Sequence, residues 1–144
     1  MKKIALMVAL LFVLRFVVRA DTINFCHVYY NDIKICEFTN YGQAIVIPVK
    51  ANNIKDKDSI TVRYFRDTPC RDCGAIVTVA DTTRNLTITT GKGQGTFGPV
   101  SFSLKKLLNY QQETGVNYFA VSYSEGLPST LSSKPFNLFE IILK

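Results

Sequence analysis

Four cysteines and a single histidine are the residues of this chain best suited to chemistry. Cys70-Arg71-Asp72-Cys73 is a CxxC, the spacing of a redox dithiol when the first sulfur caps a helix and its thiol pKa is depressed. Here Thr68-Pro69 precedes it and Gly74 follows, between two strand-like runs and without a strand–helix–strand pattern. The spacing therefore predicts a small disulfide staple on a strand connection. Cys26 and Cys36 flank the turn signal Asn31-Asp32. A two-residue loop would set Cys26 opposite Glu37, with the two sulfurs on opposite sides of the hairpin. A three-residue loop, Tyr30–Asp32, would set Cys26 opposite Cys36, so a cross-strand bridge requires that longer loop or a bulge. The expected pairing is Cys70 with Cys73 and Cys26 with Cys36. Zinc is not expected, because the cysteine spacing is irregular for a structural site and the chain reads as exported.

The other chemical signals weaken when their context is considered. His27 sits in a strand-like run beside Cys26, and adjacent strand residues point to opposite faces, so no thiol–imidazole pair is expected. Gly93-Gln94-Gly95-Thr96-Phe97-Gly98-Pro99-Val100 fits the string of a nucleotide-binding glycine loop. No Val-Ala-Ile-Lys, His-Arg-Asp or Asp-Phe-Gly accompanies it, and Val100–Leu104 reads as a strand rather than a helix. The glycines are expected to serve a turn over Gly91–Gly98. Asp56-Lys57-Asp58 lacks the glycine and distal glutamate of a calcium loop and reads as a polar turn. No carboxylate pair is singled out for glycoside hydrolysis. The chain is thus expected to carry no catalytic set, no cofactor and no metal.

The elements that would position these residues are mostly strands. Ile60, Val62 and Tyr64 alternate with Thr61 and Arg63; Leu86 and Ile88 with Asn85 and Thr87; Val100 and Phe102 with Ser101 and Ser103; Phe119, Val121 and Tyr123 with Ala120 and Ser122. A period of two sends each apolar set to one sheet face. Further candidates are Ile23–Tyr30, Ile33–Thr39, Ala44–Lys50 and Ala75–Ala80, with turn signals at Asn31-Asp32, Tyr41-Gly42, Asn52-Asn53 and Asp81–Arg84. Pro48 predicts an edge or bulged strand. Leu104, Leu107 and Leu108 have helical spacing between a cap residue, Ser103, and a stop, Gly115, which predicts one short helix over 104–114. The final run, 136–144, mixes both periods, and its aromatic and β-branched content favours a strand. The expectation is an all-β fold: a two-sheet antiparallel β-sandwich, immunoglobulin-like or a similar Greek key. Val116–Gly126 (VNYFAVSYSEG) loosely resembles the corner before a late strand in immunoglobulin-like and fibronectin-like sandwiches, where a tyrosine hydroxyl, here Tyr118, anchors the turn.

Met1–Lys3 and the apolar run Ile4–Leu14 read as a signal peptide over 1–20, with cleavage before Asp21 and a single domain over 21–144. Of 17 basic residues four lie in that leader, so 13 face 11 acidic ones in the rest of the chain. The sequence pI of about 9.2 is therefore mostly a property of the leader. It does not support nucleic-acid binding. No later run is long and uncharged enough to span a bilayer. Asn85-Leu86-Thr87 is an N-glycosylation sequon on an expected solvent face. Tyr29 and Tyr30, together with Arg66 and Arg71, are the candidate binding surface, since these residue types dominate interface hot spots. The functional expectation is a secreted, extracellular, non-catalytic binding module whose partner is an extracellular protein or glycan. The alternatives are a small secreted hydrolase or hydrolase inhibitor, and a lipid-binding or membrane-surface sandwich.

Overall fold

A computed structural model describes residues 24–39, 45–127 and 134–144. The leader with its cleavage point, the Tyr41-Gly42 turn and the first residues of the Ile23 and Ala44 runs lie outside the described residues. Among the described residues nine strands and one α-helix follow in order: β1 (Phe25–Tyr30), β2 (Ile33–Thr39), β3 (Val46–Val49), β4 (Ser59–Phe65), β5 (Gly74–Asp81), β6 (Leu86–Gln94), β7 (Val100–Ser103), α1 (Leu104–Thr114), β8 (Tyr118–Gly126) and β9 (Phe136–Leu143), with a single 3-10 turn over Ala51–Asn53. They build a four-stranded sheet in the order β2-β1-β4-β7 and a five-stranded sheet in the order β3-β9-β8-β5-β6.

The alternation explains the core. Val28, Ile60, Val62, Val100 and Phe102 point inward from the four-stranded sheet, and Val77, Val79, Phe119, Val121, Phe139 and Ile141 from the five-stranded one. Aromatic rings tie the two sheets together: Tyr64 lies 4.8 Å from Tyr123 and 5.3 Å from Phe136, and Phe38 meets Phe139 edge-on at 6.1 Å. The expected helix is present over Leu104–Thr114, with Leu104, Leu107 and Leu108 buried and Gly115 ending it at φ 74°. It carries the chain from β7 in one sheet to β8 in the other. The final run is a strand, as its composition favoured.

Four expectations are corrected. First, not every pairing is antiparallel: β3 pairs parallel with β9, Val46 opposite Glu140 and Val49 opposite Leu143. No hairpin links the two, so the direction of β3 follows from the crossing between sheets rather than from a turn. Pro48 is tolerated because β3 is an edge strand, where one side of the backbone needs no ladder partner. Second, Gly91–Gly98 is not one turn, because β6 continues through Gly91 and Gly93 to Gln94. Third, a bulge between Val79 and Ala80 skips Ile88 in the pairing with β6. The alternation there shifts, leaving Leu86 48% exposed while Thr89 is buried. Fourth, the Tyr118 hydroxyl donates to the Glu140 carboxylate on neighbouring β9 instead of to a corner backbone group.

Two buried aspartates fasten the turns to this frame. The Asp81 carboxylate accepts from the Thr83 hydroxyl, from the backbone N–H of Thr83 at 2.9 Å and Arg84 at 3.3 Å, and from the Tyr110 hydroxyl at 3.0 Å. It thereby joins the β5–β6 turn to α1. Asp58 accepts from Lys55 N–H at 3.0 Å, from the Tyr30 hydroxyl at 2.5 Å and from Asn31 at 3.2 Å. These bonds stabilise the ionised forms, so both carboxyls titrate below their ordinary range, led by the Lys55 N–H at Asp58 and by the Thr83 hydroxyl at Asp81. A folded pKa below the unfolded one means that the unfolded chain binds protons first as pH falls. The stabilisation is complete above the unfolded carboxyl pKa of about 3.9 and is lost as pH drops through the lower folded values. The urea midpoint is expected to hold from neutral pH to about 5 and to fall below about 4. Asp58→Asn and Asp81→Asn should each flatten that acid limb, and a wild-type midpoint unchanged at pH 2 to 3 would contradict the assignment.

Candidate functional site

The four residues Tyr29, Tyr30, Arg66 and Arg71 do not form one surface. Tyr29 and Tyr30 are consecutive in β1 and so face opposite sides of the sheet. Arg66 follows the end of β4 that pairs with Phe25, whereas Tyr30 pairs with Ile60 at the other end. Six residues of strand separate the two ends, about 20 Å at roughly 3.3 Å per residue. The four side chains fall into three places.

Tyr30 belongs to a cleft of about 630 Å³ at the hairpin end of the molecule. Its walls are apolar, Ile35 from β2 with Ile47, Pro48 and Val49 from β3, and its rim carries Asn31, Lys50, Asn53, Lys55 and Asp58. The cleft lies where edge strands of the two sheets approach. The Tyr30 hydroxyl is anchored on Asp58, and burial followed by the Asp58 carboxylate pushes its pKa up to about 12. The phenol therefore stays neutral at physiological pH, and Asp58 is held as an anion by its own donors. Ile35 is a wall residue because of a backbone irregularity. The β1–β2 register runs Tyr30–Ile33, Tyr29–Lys34, then Val28–Cys36, so Ile35 is the extra residue of a β-bulge.

The same bulge decides the fate of the hairpin cysteines. The loop has two residues, with Asn31 left-handed at φ 52°. The bulge then moves Cys36 opposite Val28 and Cys26 opposite Phe38. Both sulfurs face the core but sit on a diagonal, offset by two residues, and both cysteines are free thiols. The expected Cys26–Cys36 bridge is not formed, because a directly opposed pair requires a register that this hairpin does not adopt. Burial, and then the Cys36 group beside it, pushes the Cys26 thiol up to about 12, so it is an inert core residue.

Tyr29 lies on the outer face of the four-stranded sheet, in a group that sequence reasoning missed. The bulge puts His27 opposite Glu37, with Nε2 3.1 Å from the carboxylate, which also takes Lys34 at 2.6 Å. The Tyr29 hydroxyl is 3.4 Å from His27 Nδ1, and Arg63 lies over the Tyr29 ring at 5.8 Å. Phe25 stacks on Phe65 at 4.3 Å, and Phe97, 44% exposed, meets Phe65 at 5.1 Å. A Glu–His–Tyr chain can move a proton, yet the sulfur of Cys26 is turned to the other face. The Tyr29 hydroxyl faces the His27 ring rather than open solvent. The only advance signal was that residues 25, 27 and 29 alternate as Phe, His and Tyr on one side of β1.

Arg66 and the Cys70–Cys73 disulfide mark the third place, at the opposite end. Arg66 reaches Glu125 at 3.5 Å, and Glu125 also accepts from the Thr96 hydroxyl at 2.5 Å. Arg71 stays exposed between the two sulfurs. Cys70, Cys73 and Glu125 converge to within 4.8 Å, but sulfurs joined to each other cannot serve as thiolate ligands for a metal. Asp56, at the other end of the Asp56-Lys57-Asp58 turn, pairs with Lys105 at 3.1 Å. Asn85 is exposed in the β5–β6 turn, left-handed at φ 51°.

No protein-family model and no curated protein matches this chain. Function must therefore be read from these three places. No helix of the described residues is long and apolar enough to cross a membrane.

Proposed function

We propose that the chain is an exported, non-catalytic binding module that holds an amphipathic ligand in the Tyr30–Asp58 cleft. The observation that carries this reading is the cleft itself. It is concave, walled by four apolar side chains and rimmed by two lysines, two asparagines and the ionised Asp58, whose charge is engaged by its own donors, and its volume of about 630 Å³ falls in the usual range for small-molecule sites. An apolar body with an anionic head suits that division: the body packs on Ile35 and Pro48, and the head meets Lys50 and Lys55. Export rests on the leader over 1–20, and the Asn85 sequon and the disulfide agree with an oxidising compartment. On this reading the two sheets form an immunoglobulin-like sandwich. The order β9-β8-β5 in one sheet beside β4-β7 in the other supports that arrangement.

A dansyl-labelled fatty acid is a suitable probe. The full chain without its leader is expected to bind it with a fluorescence blue shift. Ile35→Asp should weaken binding at least tenfold, because a charge would enter the apolar wall, a penalty of about 1.4 kcal/mol or more. Lys50→Glu with Lys55→Glu should also weaken it, and more strongly at low salt. Binding indifferent to both variants would remove the cleft from consideration.

A second reading is favoured by one specific observation, the Phe25–Phe65–Phe97 cluster with Tyr29 and Arg63 on an outer sheet face. Exposed rings on a sheet face beside an arginine suit contact with an extracellular protein or a glycan. Phe97→Ser with Arg63→Ala would separate this surface from the cleft in a pull-down from extracellular material.

A further inference from the structure

The Cys70–Cys73 ring lies against a buried acid. Both sulfurs and a carboxylate oxygen of Glu125 are within 4.8 Å of one another, and the Glu125 side chain is only 5% exposed. The Glu125 side chain does not rely on the disulfide alone. Its carboxylate is fixed by the Thr96 hydroxyl at 2.5 Å, the Tyr123 hydroxyl at 3.3 Å and Arg66 at 3.5 Å. Nor does the turn depend on sulfur alone. Cys70 N–H donates to the Thr96 hydroxyl at 2.7 Å, Thr96 N–H to the Cys70 carbonyl at 2.9 Å, and Gly95 N–H to the Cys73 carbonyl at 2.8 Å. Opening the S–S bond would leave both sulfurs beside the carboxylate. The two cysteines differ in access: Cys70 is half-buried between exposed Pro69 and Arg71, whereas Cys73 is buried.

We propose that this cluster is a thiol–disulfide exchange site. Cys70 meets the external thiol or disulfide, Cys73 resolves, and Glu125 takes the proton of the buried Cys73 thiol. In the oxidative direction the Cys70 thiolate, its proton lost to solvent, attacks one sulfur of an external disulfide. That S–S bond breaks and one external thiolate leaves, which gives a mixed disulfide on Cys70. Glu125 then accepts the Cys73 proton. The Cys73 thiolate attacks Sγ of Cys70, forming the ring bond and expelling the second external thiolate. Two electrons pass from the Cys70/Cys73 dithiol to the external disulfide, and the two protons reach the released thiols through solvent and Glu125. The reverse sequence reduces the ring at the expense of two external thiols. A carboxylate is needed at the resolving step because Cys73 is removed from the water that would otherwise take its proton. This site is separate from the Tyr30–Asp58 cleft: ligand binding there does not depend on it, and the exchange is a stoichiometric redox change of the chain's own cysteines.

The test uses the leader-free chain carrying Cys36→Ser, which removes the half-buried thiol and leaves buried Cys26. The protein is reduced with dithiothreitol, desalted and mixed with glutathione disulfide, and acid-quenched samples are read by mass spectrometry. Wild-type Glu125 is expected to close the ring with little glutathione adduct accumulating. Glu125→Gln should accumulate the adduct on Cys70 and close roughly 10²-fold more slowly. Thr96→Val, which removes one of the bonds that hold the carboxylate, should lie between the two. Should Glu125→Gln fail to fold by circular dichroism, Glu125→Asp and Tyr123→Phe take its place, each with closure slowed several-fold. Closure at the wild-type rate in these variants, an adduct found first on Cys73, or a folded protein whose ring dithiothreitol does not reduce would each overturn the proposal.

Discussion

Gly91→Ala is expected to destabilise the fold by about 3 kcal/mol, far more than a methyl group usually costs. A Cβ at Gly91 would stand 2.3 Å from the Ser101 carbonyl oxygen, 2.9 Å from its carbon and 3.1 Å from Val100 Cγ1. Two of these three atoms are backbone, so no rotamer change relieves the contact and β7 itself must move. The next inward glycine, Gly93, meets the same strand, 2.7 Å from the Pro99 carbonyl oxygen and 2.8 Å from Val100 Cγ2. Here the two sheets approach backbone to backbone, and this is the purpose of glycines that otherwise mimic a phosphate-binding loop. Gly74→Ala is the control: its Cβ would meet only the Gly126 carbonyl, at 3.8 Å. It should stay level or gain up to about 1 kcal/mol from lower backbone entropy in the unfolded chain. Urea melts of the two variants decide the matter. If Gly91→Ala matched the wild type, the close crossing of β6 and β7 would be wrong.

Phe119→Ala is expected to cost about 4 kcal/mol. Phe119 is fully buried near the start of β8, pairs with Ile141 on β9 and meets the Tyr110 ring of α1 edge-on at 6.2 Å. Removing the ring therefore opens a void between the sheet and the helix, which the close-packed neighbours fill only in part. Domains of this size are stable by about 5–15 kcal/mol, so the variant should melt many degrees lower or fail to accumulate. Tyr118, one residue earlier and on the opposite face, is 38% exposed. Tyr118→Ala loses a surface hydrogen bond to Glu140 and should change stability by less than about 1 kcal/mol. Equal costs at the two positions would mean that β8 is inverted.

Local periodicity carried most of the architecture. The alternation of Ile60, Val62 and Tyr64, or of Phe119, Val121 and Tyr123, specifies both a strand and its buried face, because a period of two has no other stable use at a sheet surface. The leucine spacing over 104–108 and the Gly115 stop likewise delimit α1, since helix ends depend on adjacent residues. The CxxC could be paired from sequence because only three positions separate its sulfurs.

Other features depended on register or on parts of the chain far from each other. A single extra residue, Ile35, moved Cys36 from opposite His27 to opposite Val28, brought Glu37 to His27 and supplied one wall of the cleft. A bulge leaves no trace in the alternation strong enough to locate it, yet it reassigns every cross-strand partner beyond it. The parallel β3–β9 pair joins segments about ninety residues apart, and the Thr96–Glu125 and Tyr30–Asp58 contacts each span nearly thirty. Such contacts arise from how the two sheets stack, and hydrophobic periodicity is silent on that. The sequence determined the buried face of most strands and which residue types were available for chemistry, with Leu86 and Thr89 beside the β5–β6 bulge as exceptions. The tertiary structure alone decided their neighbours, because neighbours across a sheet are set by register and between sheets by packing.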